Sequence, residues 1–480
     1  MKRKSGRWVP GVGRFVAVCL LSGSLALSAR PAGAEEGGAQ EGRISALERQ
    51  LAQIEGRLQE LAEENRTLRE RDVQLERAAP AGSLAGVRGA SASPSSAAAP
   101  AAAPDGLRLW GYGELYYSDP TRESARAQAD LARAVFGIGY AFDERTEFNS
   151  EYEVEHAVAS ASDVGEFEVE QFYIDRRLGE SWGLRGGLLL MPFGLLNEHH
   201  EPTRFYGVQR NFIETLIIPS TWREGGLGLH GDTQGGWGWS AGLTTGFDLS
   251  KWDFAPQFPL YSTALELGGS GAAALRAGHQ ELALANAHHL SQYAALSYYA
   301  RPGLLLGAAV STGEAPLPTT AGAPASASRV TLWETHARWT PGPLDLSALY
   351  ARGTIGGLAP VNAAHPGAPN PLPSSFYGGF LQAAWTLWEQ GEYRATPFVR
   401  FEHYDLGASY AGSPGPVLPA GLVPLSAQGD LGYWPQAHDR VWTGGANLYL
   451  GAHLVVKGDY QWFEVNQGFR RFDLGLGISF

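Results

Sequence analysis

The sequence predicts an all-β protein: a 16-stranded antiparallel transmembrane β-barrel preceded by a short N-terminal coiled-coil helix. Three observations predict it. First, fifteen connections join the strand-like segments, and they alternate short and long almost to the end. Tight turns recur at 142–144, 179–182, 232–235, 301–303, 341–342, 389–392 and 451–452, and between them lie long segments such as 191–221, 247–289, 354–375 and 406–439. A membrane barrel sorts its loops this way, with tight turns on one side and long loops on the other. A soluble sandwich has no reason to sort loops by parity. Second, the chain closes on an alternating strand. Phe472, Leu474, Leu476, Ile478 and Phe480 occupy every second place, and Arg471, Asp473, Gly475, Gly477 and Ser479 the others. Such a strand offers one face to lipid and one to water. Third, charged residues make up only 18% of the chain and glycine 62 of 480 residues. Few charges and many glycines suit strands with one face in lipid and tight turns between them.

In chain order, residues 1–34 read as an export signal peptide. Lys2, Arg3, Lys4, Arg7 and Arg14 form a basic region, 15–27 is a short apolar stretch, and Ala32-Gly33-Ala34 is a small-x-small cleavage site. The single cysteine, Cys19, lies inside that stretch behind Val18, a poor match to a lipidation site. The processed chain then carries no thiol chemistry. No later run of eighteen apolar residues forms a membrane helix.

Residues 41–77 form a heptad repeat. Ile44, Leu47, Leu51, Ile54, Leu58, Leu61, Asn65, Leu68, Asp72 and Leu75 are spaced three, four, three, four without a slip. Asn65, in an a-type position, is the expected setter of register and oligomer state. At 1.5 Å per residue the coil would be roughly 50 Å long. An Ala/Pro/Ser linker follows at 78–106, and the barrel domain occupies 107–480.

Sixteen strand candidates follow: 107–117, 130–141, 145–155, 167–178, 183–190, 222–231, 236–246, 290–300, 304–312, 329–340, 343–353, 376–388, 393–405, 440–450, 453–464 and 470–480. An even number returns both ends to one side, and sixteen strands enclose an aqueous channel unless a loop fills it. The third long connection, 191–221, carries Phe205, Tyr206, Phe212, Leu216, Ile217 and Ile218, which are unsuited to water. Folding into the lumen would bury them and narrow the pore; an external lid or a subunit contact is the alternative. The expected constriction residues are Glu198, His199, His200, Glu201, Arg204, Arg210 and Glu214. Alternation places Glu147, Glu151, Glu153 and Glu155 inward on the third strand, with Glu166, Glu168 and Glu170 approaching from the fourth. The basic inward candidates are Arg133, Arg338, Arg394, Arg400, Lys457 and Arg471.

The Met191-Pro192-Phe193-Gly194 strand end, the Pro219-Ser220-Thr221-Trp222-Arg223-Glu224-Gly225 segment, the sixteen-strand count and the terminal Phe480 resemble the phosphate-selective porins O and P of Gram-negative bacteria. The resemblance spans 107–480. It implies a trimeric sixteen-stranded channel in the outer membrane, a third loop that forms the constriction, and anion selectivity carried by lysines and arginines. This chain departs from that last feature. Only Lys251 and Lys457 follow the signal, and residues 107–480 hold 23 Lys plus Arg against 37 Asp plus Glu. An acidic mouth repels anions and an arginine row attracts them, so the sign of selectivity stays open.

The expected function is passive diffusion of small hydrophilic solutes or ions, with phosphate implied by the resemblance alone. The alternative is a structural envelope anchor whose periplasmic coiled coil binds peptidoglycan or a partner protein. Outer-membrane lipid, the barrel assembly machinery (which would read Phe480 as its signal) and two further copies of the chain are the expected partners. Adjacent His199 and His200 point opposite ways in an extended loop, and no third ligand has a fixed spacing, so the sequence assigns no metal. No cofactor is implied. The motifs of common hydrolases and nucleotide-binding enzymes are missing, and the acidic balance opposes nucleic-acid binding.

Overall fold

A computed structural model describes residues 106–122, 124, 127–158, 165–219, 221–255, 273–319, 326–417 and 437–480. The predicted signal peptide, the heptads with Asn65 and nearly all of the linker lie outside the described residues.

The chain forms β1 Leu107–Pro120, β2 Gln128–Asp143, β3 Thr146–Glu155, β4 Phe167–Arg177, β5 Trp182–Leu190, β6 Arg223–Asp232, β7 Trp237–Thr245, β8 Leu290–Tyr298, β9 Leu304–Pro316, β10 Ala327–Trp339, β11 Leu344–Ile355, β12 Ser375–Trp385, β13 Trp388–Gln390, β14 Tyr393–Ser409, β15 His438–Leu450, β16 Leu454–Phe463 and β17 Arg471–Ser479. Each pairs antiparallel with its neighbours in sequence, save at one place: β12 and the three-residue β13 both lie on β14. They are one interrupted stave, so seventeen segments make sixteen staves, as the sequence predicts. The sheet closes where β1 meets β17, from Tyr112↔Ser479 to Pro120↔Arg471. Closure leaves no unpaired edge. Several strands run past their predicted limits toward the long loops: β9 reaches Pro316 and β14 reaches Ser409. Backbone pairing continues there because the ladder satisfies the backbone wherever the next stave is within reach.

The strands alternate as expected. On β17, Arg471 and Asp473 are buried while Phe472, Leu474 and Ile478 are exposed outward. The outward face is an apolar belt. At the short-turn end it is edged by Phe142, Trp182, Trp237, Trp339, Trp385, Trp388, Tyr393 and Phe480, and at the long-loop end by Tyr117, Phe167, Trp442 and Trp462. Two aromatic girdles around an apolar band suit the two interfaces of a bilayer.

The long loops contain structure that periodicity does not reveal. One-turn helices form at Ala274–Gly278 and Ala359–Ala363, and a π-helical turn at Ile213–Ile217. All three contribute to a buried apolar cluster inside the barrel. It joins Phe212, Ile213 and Ile217 of the third loop to Trp252 and Leu275 of the fourth, Val361 and Leu372 of the sixth, and Leu332 and Leu349 of the wall. The fourth and sixth loops are clasped together: Trp252 Nε1 donates to Asn370 O at 3.0 Å, and Asn370 Nδ2 donates to Asp253 O at 2.8 Å.

Candidate functional site: the third loop and the lumen wall

The third loop begins where β5 ends and returns to β6. Its two ends are tied by one side chain. Asn197 Nδ2 donates to Met191 O and Trp222 O at 2.7 and 2.8 Å, and Asn197 Oδ1 accepts from Trp222 N at 2.7 Å. The Met-Pro-Phe-Gly and Thr-Trp-Arg segments are thus the two feet of the loop, with Phe193 and Trp222 in edge contact at 4.8 Å between centroids. Glu214 organises the interior of the loop. Its carboxylate accepts from Leu195 N, Leu196 N and Asn211 Nδ2 at 2.6–2.7 Å. Burial pushes this carboxyl up, and those three donors pull it partly back.

The loop lies on the inward face of the opposite wall. Phe212 N donates to Glu402 Oε1 at 2.6 Å, Val208 N to Asp459 Oδ2 at 2.6 Å, and Gly207 N to Asn447 Oδ1 at 3.1 Å. In the other direction, Arg400 donates to Tyr206 O and Gln209 O at 3.1 and 3.4 Å, and Asn447 to Phe205 O at 3.0 Å. Loop backbone groups that would otherwise be buried and unpaired are satisfied by inward side chains of β14, β15 and β16. Small residues give the loop room. A Cβ on Gly378 would lie 2.6 and 2.8 Å from the tips of Ile217 and Ile213, and one on Gly477 would lie 2.5 Å from Pro202.

The predicted constriction residues fall at several places around the lumen. Glu198, His199 and Arg204 line two lumen chambers, of about 380 and 690 Å³, that share these side chains and Arg185. Glu201 approaches Arg204 at 3.9 Å. Arg210 reaches Thr221 Oγ1 at 3.5 Å, at the foot of the loop. His200 turns the opposite way from His199, as the sequence predicts, and is buried against β1 and β4. Its Nε2 lies 2.6 Å from the Tyr112 hydroxyl and 3.4 Å from Glu170 Oε1. Arg133 pairs with Glu114 at 2.7 Å and donates to His200 O at 2.5 Å.

On the acidic wall, Glu147 pairs with Arg108 at 2.7 Å, and Glu151 accepts from Trp110 Nε1 and Gln171 Nε2, both at 2.5 Å. Glu153 is buried, and Glu155 sits half-buried with its carboxylate near those of Glu153 and Glu168. The basic candidates are engaged too. Arg338 forks onto Asp345 at 2.6 and 3.0 Å, Arg400 pairs with Glu402 at 2.8 Å, and Arg471 with Asp473 at 3.2 Å. Arg394 stacks on Tyr449, 4.1 Å from the ring centroid, and borders the larger chamber. Lys457 Nζ sits 3.4 Å from the Phe205 ring centroid, a cation–π contact with the loop.

Several functional positions escape the list of candidates from sequence: Tyr112, Glu114, Asn197, Glu402, Asn447 and Asp459. The strand members of this set all have inward parity, which was the available signal. Asn197 carried none, because its role depends on where the two feet of the loop meet.

No protein family's sequence profile matches the chain. An uncharacterized protein of Aquifex aeolicus (strain VF5) is 45% identical over 129 residues, which are 27% of this chain and 30% of the relative, so the match spans less than a third of that protein's length. Among solved structures, OmpF of Salmonella typhi in complex with daunomycin aligns over 78% of this chain and 98% of its own at 12% identity and a TM-score of 0.49. The outer membrane channel DcaP of Acinetobacter baumannii covers 80% of this chain and all of its own at 11% identity and a TM-score of 0.45. The high-pH structure of Pseudomonas putida OprB covers 78% of this chain and 94% of its own, also at 11% and 0.45.

Proposed function

We propose that the chain is a porin of a Gram-negative outer membrane, through which small hydrophilic solutes and ions diffuse passively past the third loop. The observation that carries this reading is a closed barrel, apolar outside, whose interior holds two polar-walled chambers sharing Arg185, Glu198, His199 and Arg204. The short-turn end faces the periplasm and the long-loop end the exterior, as in barrels of this architecture. The third loop sets the narrowest cross-section, because its backbone is held to the wall by Arg400, Glu402, Asn447 and Asp459. Selectivity follows from the charges that border the chambers and are least consumed by ion pairs: Arg204 and Arg394 against Glu198.

Conductance of the purified protein in a planar bilayer tests the reading. Discrete steps are expected. A silent membrane from folded, heat-modifiable protein would sink it and leave the envelope-anchor alternative. Replacing Arg204 and Arg394 together by Gln should shift the reversal potential toward cations without abolishing conductance, because lumen side chains tune selectivity and leave the lipid face intact. The homotrimer implied by the resemblance belongs to the same proposal; cross-linking in outer-membrane vesicles that yields only monomers removes it.

A further inference from the structure

We propose that Glu151, Glu170 and His200 form a site for a divalent cation of the zinc class, one that ties the third loop to the barrel wall from inside. The three side chains come from β3, β4 and the loop, are all buried, and bring one ligand atom each within 4.8 Å of the others. Ligands at about 2.0–2.2 Å around a tetrahedral cation stand roughly 3.5 Å apart, so a modest contraction closes the site.

The hydrogen-bond inventory points independently to a ligand. His200 Nδ1 faces the carbonyl of Asn197 at 3.0 Å. A carbonyl only accepts, so Nδ1 carries a proton, and the imidazole that binds a metal offers its lone pair at Nε2. That lone pair faces Glu170 Oε1, an oxygen on a fully buried side chain with no hydrogen-bond donor. Tyr112 has one hydroxyl proton to share between His200 Nε2 at 2.6 Å and Glu170 Oε2 at 3.0 Å. His200 Nε2 and Glu170 Oε1 thus face each other as two acceptors with one shared hydroxyl donor, and a cation between them satisfies both. The surroundings are arranged as around a metal ligand. An imidazole whose other nitrogen donates to a backbone carbonyl is fixed in tautomer and orientation, and Trp110 and Gln171 hold the Glu151 carboxylate in place. Carboxylates with one imidazole suit Zn²⁺ better than Ca²⁺ or Mg²⁺, which prefer all-oxygen shells. The site also explains why the loop turns His200 into the wall beside Arg133 instead of into the chamber with His199.

The test is zinc binding to the full-chain barrel in detergent, by calorimetry, with Ca²⁺ as comparison. One Zn²⁺ per barrel is expected, bound more tightly than Ca²⁺. His200→Gln and Glu170→Gln should each weaken it by more than the ~10–100-fold that loss of an outer partner costs, and Tyr112→Phe by about 10-fold. His288→Ala, on an exposed loop histidine, should leave it unchanged. X-ray absorption of the zinc-loaded wild type should show a nitrogen/oxygen shell with an imidazole contribution, a readout that stands even if a variant fails to fold. The proposal is overturned by a wild-type barrel that binds no zinc, by folded ligand variants that bind it as well as wild type, or by a zinc shell without imidazole.

Discussion

The two halves of the barrel interior are built on different principles. From β8 to β12 the inward side chains toward the long-loop end are mainly apolar, with Tyr293, Ala309, Val330, Leu332, Leu349, Ala351, Ile355, Phe376 and Phe380 around Ser291 and Ser311. The fourth and sixth loops cover them, as a soluble protein covers its core. Across the lumen, β1 to β4 and β14 to β17 turn inward Glu114, Arg133, Glu151, Glu170, Arg400, Glu402, Asn447, Asp459, Arg471 and Asp473. The third loop touches both halves. It offers Ile213 and Ile217 to the apolar side, at Gly378, and to the polar side backbone N–H and C=O groups together with the Phe212 ring, which meets Tyr404 and Phe463. One segment is therefore held by burial alone on one flank, and by hydrogen bonds around a single buried ring on the other. The difference teaches that the polar flank decides position, because hydrogen bonds have fixed partners, while the apolar flank supplies non-directional stability.

Four substitutions would break or sharpen this contrast. The largest effect is expected from Phe212→Ala, whose ring packs on Tyr404 and Phe463 at 5.7 and 5.5 Å. A cavity there should cost about 3–5 kcal/mol of stability, read from urea unfolding in detergent micelles. Next is Glu402→Gln, which removes a buried charge from Arg400 and weakens the acceptor for Phe212 N. Its expected cost is about 2–3 kcal/mol, since the amide keeps part of the hydrogen bonding of a pair whose outright loss costs about 3–5 kcal/mol. It should also broaden the distribution of single-channel conductances; an unchanged distribution would mean that the polar flank does not position the loop. Gly378→Ala should cost about 1–3 kcal/mol, because the new methyl meets Ile217 and Ile213 at 2.6 and 2.8 Å. Arg176→Ala, at an exposed pair with Asp143 in the β2–β3 turn region, should leave the unfolding midpoint where it was.

Much of this architecture was legible in the sequence. Loop parity and strand alternation are local properties, so the stave count could be read residue by residue. The division of the interior was not legible. Leu332 and Glu402 both follow the inward parity of their strands, but parity says nothing about which loop covers which stave. Gly475 and Gly477 look in sequence like small residues on a water-facing strand; in the fold they face Val208 and Pro202 of the loop. The nearness of His200 to Glu151 and Glu170 depends on where the loop turns back onto β3 and β4, which no spacing along the chain encodes.

The position of that loop relative to the seam has a consequence for biogenesis. Tyr112 of β1 meets His200, while on β17 Ser479 lies 3.4 Å from Thr203 and Gly477 takes Pro202 against it. A stretch from the middle of the chain thus braces the first and last staves where they join. The final zipping of the barrel and the seating of the loop become one event, with contacts 88 and 276 residues apart in sequence made together. A chain with bulk added at the seam, such as Gly477→Val, should accumulate as an unclosed, protease-sensitive species during refolding even though every stave retains its own alternation; closure at the wild-type rate would show that the loop enters afterwards.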